Sequence, residues 1–186
     1  SMFREKHSEM QEHLRKYTGR VVFRGDLTKD QDNAHAVFTD QSSSSCHMLS
    51  AKVLDAISRM PGCSGEDADA VGAYTQVKLS DCEGAVETWI SLPKHRWPAH
   101  WHQLGYDDPV VPLELNLYGH PKAGLYWEQH CSKHILACGF EKVRGHESLY
   151  VHRDQGLFLS VYVDDFKMVG ITENMAPMWK RLKTTK

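Results

Sequence analysis

The chain has 186 residues, 41% hydrophobic and 25% charged, with a formal net charge of −2. This is an ordinary globular composition, long enough for one domain with a substantial core. The charge argues against a large nucleic-acid footprint, which is commonly basic, but leaves room for a local basic strip.

Five Cys stand at scattered positions with no CxxC pair. They suggest no disulfide framework and point to reduced thiols in an intracellular compartment. No signal peptide and no apolar run of membrane-spanning length is found, so no membrane partner is expected. The 12 His add positive charge below neutral pH.

Ser1-Met2 reads as a tag-cleavage scar, and residues 3–17 (FREKHSEMQEHLRKY) as a polar, helix-compatible segment with few core anchors. GRVVFRGD, residues 19–26, reads as a strand carrying Arg20 and Arg24 on one face by period two. A loop and the short extended piece HAVFTD follow, then a serine run (42–45) that offers N-caps. Met48, Val53, Leu54, Ile57 and Met60 form a roughly helical stripe that ends at Pro61-Gly62.

SGEDADAVGAYTQVKLSD is an extended stretch rich in small residues, and VETWISLP (86–93) is a strand. KHRWPAHWHQLGYDDP is a loop rich in Trp, His and Pro; VVPLELNLYG (110–119) is a further strand entering a turn. Residues 121–138 suit an amphipathic helix with Leu125, Trp127, Cys131, Ile135 and Cys138 among its apolar positions, and Gly139 suits its C′ site. SLYVHRD and LFLSVYV form a hairpin, FKMVG a strand, and residues 173–183 a helix. Strands and helices mix without regular alternation, which predicts an α+β fold.

Two adjacent acids, Asp164 and Asp165, interrupt apolar strand-like runs in FLSVYVDDFKMVG. One reading is a hairpin turn, since Asp favours turns. The other is a metal site, because hard cations such as Mg²⁺ take one or two carboxylates plus substrate phosphates. The second reading needs a further carboxylate. Asp69, at the start of DAVGAY, supplies it, with Ala70, Gly72 and Ala73 allowing close approach to the backbone.

The ordered set resembles the reverse transcriptases, most closely those of Ty1/copia-type LTR retrotransposons. DAVGAY (Asp69 to Tyr74) is similar to the family's DVKTAF motif, and NLYGHPKAGLYWEQ (Asn116 to Gln129) to SLYGLKQAPRAWYE. Gly139-Phe140, Ser148 to Arg153 and Val161 to Asp165 match GF, SLFVYR and LLVYVDD; Thr18 to Asp26 is similar to KARLVARG. The likeness covers roughly residues 17–183.

The resemblance implies an antiparallel palm sheet backed by helices, with YVDD on a β-hairpin. It implies a polar N-terminal segment (1–16), a fingers-like segment (17–65) and a palm (66–183), with thumb, connection and RNase H regions beyond residue 186. The implied activity is RNA-directed DNA polymerisation: nucleotidyl transfer from a dNTP to a primer 3′-hydroxyl, using two Mg²⁺, with Mn²⁺ a substitute.

In this reading Asp69 and Asp164 hold the metals and Asp165 supports them. Tyr74 underlies the sugar; Arg20 and Arg24 grip the triphosphate; Tyr118 and Gly119 form the nucleotide platform; Lys122 touches a phosphate. Thr18 and Gly124 depart from the family's lysine and proline. The implied partners are an RNA or DNA template–primer, a dNTP, and the polyprotein's RNase H and integrase parts, in cytoplasmic virus-like particles or the nucleus. A different class of reading is a catalytically idle or domesticated module that binds nucleic acid or protein through the same fold.

Other features compete. Tyr106-Asp107-Asp108, followed by Pro109, reads as a solvated turn. His130, His134 and Cys138 share a helix face and suggest either zinc or a plain surface with a buried Cys. His95, His100 and His102 lie among Trp97 and Trp101, in a loop that either stacks on a base or packs on the palm.

Overall fold

A computed structural model of the chain describes residues 2–6, 8–36, 48–146 and 148–184, with the side chains of residues 2–4, 6, 18 and 20 outside that description. The predicted serine caps and most of HAVFTD fall outside the described residues.

The first 20 residues correct the sequence reading. β1 (Met2–Lys6) and β2 (Lys16–Arg20) pair antiparallel, with a short 3-10 turn at Glu12–Leu14 between them. No helix spans residues 3–17, because the polar pattern carries no apolar period to bury and each strand finds its ladder in the other. β2 stops at Arg20, so Arg24 does not share a strand with Arg20; it caps a 3-10 turn at Gly25–Leu27.

α1 (Met48–Ile57) ends ahead of Pro61-Gly62 as predicted, yet of its stripe Met48 and Val53 are exposed while Leu54 is buried. β3 (Cys63–Asp69) follows, then 3-10 turns at Ala73–Gln76 and Leu79–Asp81. β4 (Trp89–Ser91) and β5 (Val110–Pro112) form a two-stranded ribbon around the short α2 (Ala99–Gln103). VVPLELNLYG is thus a strand for three residues only; Asn116 leaves the ladder to bind the start of the next helix.

That helix is α3 (Ala123–Ala137), ended by Cys138 and by Gly139 at φ 89°. β6 (Glu141–Lys142), β7 (Leu149–His152), β8 (Leu157–Tyr162), β9 (Asp165–Ile171) and α4 (Thr172–Thr184) complete the chain.

The main sheet is antiparallel throughout, in the order β3-β9-β8-β7-β6. Successive residues of a strand face opposite sides. Leu157, Leu159 and Met168 therefore meet Trp127, Ile135 and Met175 of α3 and α4, while Val169 and Phe158 meet Leu54 and Ile57 of α1. The fold is α+β, with helices on both faces of the sheet. Among the described residues, no helix is long and apolar enough to cross a membrane.

Candidate functional site

The β8–β9 register pairs Tyr162 with Asp165, so the two central turn residues are Val163 and Asp164. Asp165 is the first residue of β9. The acid pair therefore straddles the turn's end instead of filling the turn. Val163 takes φ 56°, whereas Asp164 is not among the described residues with positive φ. That sign pattern belongs to a type II′ hairpin turn, whose first central position normally wants Gly. A β-branched residue there is strained.

Two hydrogen bonds hold the strained turn. The indole N–H of Trp127 donates to the Val163 carbonyl, and the Ala70 N–H donates to the Asp164 carbonyl at 2.7 Å.

Asp69 ends β3 directly opposite Asp165. Sequence-distant acids thus meet at one end of the sheet. The Asp165 carboxyl is exposed, yet its pKa is raised from its ordinary value. Local loss of water is the largest cause, then the hydrogen bond to Asp69 that only a protonated carboxyl can donate, then repulsion from Asp164, Asp69 and Asp67. Asp67 lies two residues before Asp69 on the same strand face, an acid the sequence reading passed over.

Tyr74, in the 3-10 turn after β3, connects this acid end to the rest of the site. Its ring lies 4.6 Å from that of Tyr118, and burial chiefly, then Tyr118 and Asp164, raises its phenol. Tyr118 in turn accepts the Phe23 N–H on its carbonyl at 2.7 Å. Gly119 (φ 89°) and Gly25 make this clasp possible: a Cβ on Gly119 would sit 2.1 Å from the Phe23 oxygen, and one on Gly25 would sit 2.3 Å from the Gly119 oxygen.

The clasp brings the Arg24 loop to Tyr118-Gly119. Arg24 is bound to Asp26 at 2.8 Å, which raises the guanidinium and holds the Asp26 carboxyl low, each chiefly through that hydrogen bond. Lys122 precedes α3, and its N–H donates to Nδ1 of His120 at 3.2 Å. Burial, then Lys122, lowers the His120 imidazole. The side chain of Arg20 lies outside the described residues.

Asp69, Asp164, Asp165, Tyr74, Tyr118, Gly119 and the Arg24 loop thus form one linked surface. Sequence reading missed Trp127, Asn116 and Asp26 as supports. Trp127 reads as an apolar helix position, although a buried indole N–H needs an acceptor, which is the one available signal. Asn116, fully buried, donates to the Ala123 carbonyl and accepts the Leu117 N–H, fixing the turn that presents Tyr118.

The oxygen-only, crowded acid set suits a hard divalent cation, whose charge would relieve the repulsion on Asp165. Among the described residues, no three His, Cys, Asp or Glu side chains stand in a ready-made metal cage. His130 stacks on Trp127, and His134 bonds the Leu182 carbonyl at 2.6 Å. Burial pushes the Cys131 thiol up to about 12. No family model, curated protein or solved structure matches the chain.

Proposed function

We propose that the chain is the fingers–palm portion of an RNA-directed DNA polymerase of the copia retrotransposon type. The observation that carries this reading is the meeting of Asp69 with the Asp164-Asp165 hairpin, supported by the motif order in the sequence. Mg²⁺ bound there would activate the primer hydroxyl and neutralise the departing pyrophosphate.

The chain's own residues position the reactants. Asp69 and Asp164 present carboxylate oxygens, and Asp165 backs them. Tyr74 and Tyr118 offer a paired aromatic floor for sugar and base. Arg24 exchanges Asp26 for a triphosphate oxygen, a trade that guanidinium geometry favours. Template–primer and dNTP are the partners this surface suits.

The test is extension of a labelled primer on RNA and DNA templates, with Mg²⁺ or Mn²⁺, by the wild type, Asp69→Asn and Asp164→Asn. Extension by the wild type alone supports the reading. A folded wild type that binds the duplex but adds no nucleotide would leave the idle-module reading in its place.

A further inference from the structure

The insert between the two platform tyrosines is unused by this chemistry. Its feet are the segments that carry Tyr74 and Tyr118: Val77 and Asn116 are joined by a 2.8 Å backbone bond, and Leu79 and Glu114 by one of 2.9 Å. From there the β4–β5 ribbon rises to a tip built from residues 92–106.

The tip is ordered by its own contacts. The Trp97 indole N–H donates to the Leu92 carbonyl at 2.6 Å. Trp101 meets Trp97 edge-on at 6.1 Å and Tyr106 at 6.4 Å; His102 lies 5.4 Å from Trp97 and His100 6.3 Å from Trp101. Lys94 sits 5.6 Å over the Trp97 ring. Ser91 ties down Asp108 at 2.5 Å, at the base of the tip.

The tip, residues 92–106, contains Lys94, Arg96 and three His and no acid, while Glu87, Asp107 and Asp108 flank it at the base, in a chain of net charge −2. Among the described residues, no carboxylate pairs with Lys94 or Arg96. Both are exposed, as are His100 and His102, and Tyr106 is 50% exposed. Exposed rings interleaved with unneutralised cations are the chemistry that holds single strands: bases stack and phosphates pair.

We propose that this tip is a sequence-tolerant binding site for single-stranded nucleic acid, held by stacking on His100 and Tyr106 and by phosphate contacts to Lys94 and Arg96. It extends beyond the polymerase reading and needs neither metal nor the acid cluster.

The experiment uses fluorescein-labelled oligothymidylate and oligouridylate of about 20 nucleotides, longer than the roughly 4–16 that single-strand sites span. Anisotropy is read in EDTA across a salt series. The wild type should bind both. Lys94→Ala/Arg96→Ala should weaken binding roughly tenfold at low salt and reduce the salt slope by about 1.4, which is 0.7 for each lost phosphate contact. Tyr106→Ala/His100→Ala should weaken it about fivefold or more with little change in slope.

Circular dichroism checks that the exposed-site variants remain folded. Absence of wild-type binding overturns the proposal, as does full binding by both double variants. Primer extension is measured separately on the same proteins, so failure there bears on the polymerase reading and failure here on the arm.

Discussion

Trp127 hydrogen-bonds the carbonyl of Val163, which the turn before Asp164 and Asp165 holds at positive φ. A buried helix side chain thereby sets the backbone on which Asp164 and Asp165 ride. Trp127→Phe keeps most of the packing but leaves that carbonyl unpaired. Stability should fall by about 1–2 kcal/mol. If the bond positions the acids, kcat for nucleotide addition should fall with little change in KM for dNTP. A loss confined to stability would make Trp127 a packing residue only.

Val163 itself gives a second test. Val→Gly in a strand normally loses apolar burial and backbone order. At position 163, relief of strain of about 1–3 kcal/mol offsets that loss. Val163→Gly should therefore change stability by less than about 1 kcal/mol, whereas Val169→Gly, fully buried, should cost more than about 3 kcal/mol. Equal costs in chemical denaturation would show that the turn carries no strain.

The raised Asp165 carboxyl has a pH signature. A carboxyl whose folded pKa lies above its unfolded value binds more protons when folded, so it supports the fold at acid pH and loses that support as pH rises through the folded value. Asp165→Asn should thus melt higher than wild type at neutral pH, and the advantage should shrink as pH falls through the carboxylate range. A constant difference at all pH values would refute the coupling.

Divalent ions should relieve the same repulsion. Mg²⁺ or Mn²⁺ at a hundred times Kd should stabilise the wild type by about 2.7 kcal/mol. Asp164→Asn/Asp165→Asn should be as stable without metal as the wild type, or more so, and should not respond to metal. A double variant that unfolds outright, beside a wild type without a metal response, would make the acid pair a structural turn.

Tyr74 lies against Tyr118 beside Asp164, the two rings tilted by 48°, so under the proposed polymerase function its ring should limit what fits at the sugar. Tyr74→Ala should raise ribonucleotide relative to deoxyribonucleotide incorporation, and Tyr74→Phe should leave the ratio near wild type. Equal ratios in all three proteins would mean that the ring serves only packing.

The α+β class, α3 with its Gly139 end and both C-terminal hairpins were legible because strong periods and turn residues mark them; that Asp69 belongs with the acid pair followed only from the need for a further carboxylate and from the family resemblance, and the register sets Asp165, with Asp164 in the turn, opposite it. The strand pairing of residues 2–6 with 16–20 was not, since polar residues without an apolar period suit either state until a partner strand decides. The turn position was misjudged for a related reason. Sequence favours Gly or Asp at positive φ, and only the bonds from Trp127 and Ala70 explain why Val163 takes it. Arg24 read as a free phosphate grip because its tie to Asp26, two residues on, depends on the turn at Gly25–Leu27.

β3 is one of the two outer strands of the main sheet, with Glu66, Asp67 and Asp69 along it. An open strand edge invites pairing with another molecule, and like charges on it repel a second copy. The acids that would gather metal therefore also act as a solubility guard. Acidification or saturation with divalent ions removes that guard, so self-association seen by light scattering should rise under either condition, and chelator should reverse the second. The ion this site would use is then also the ion that exposes the edge, which sets an upper concentration at which the isolated chain stays dispersed.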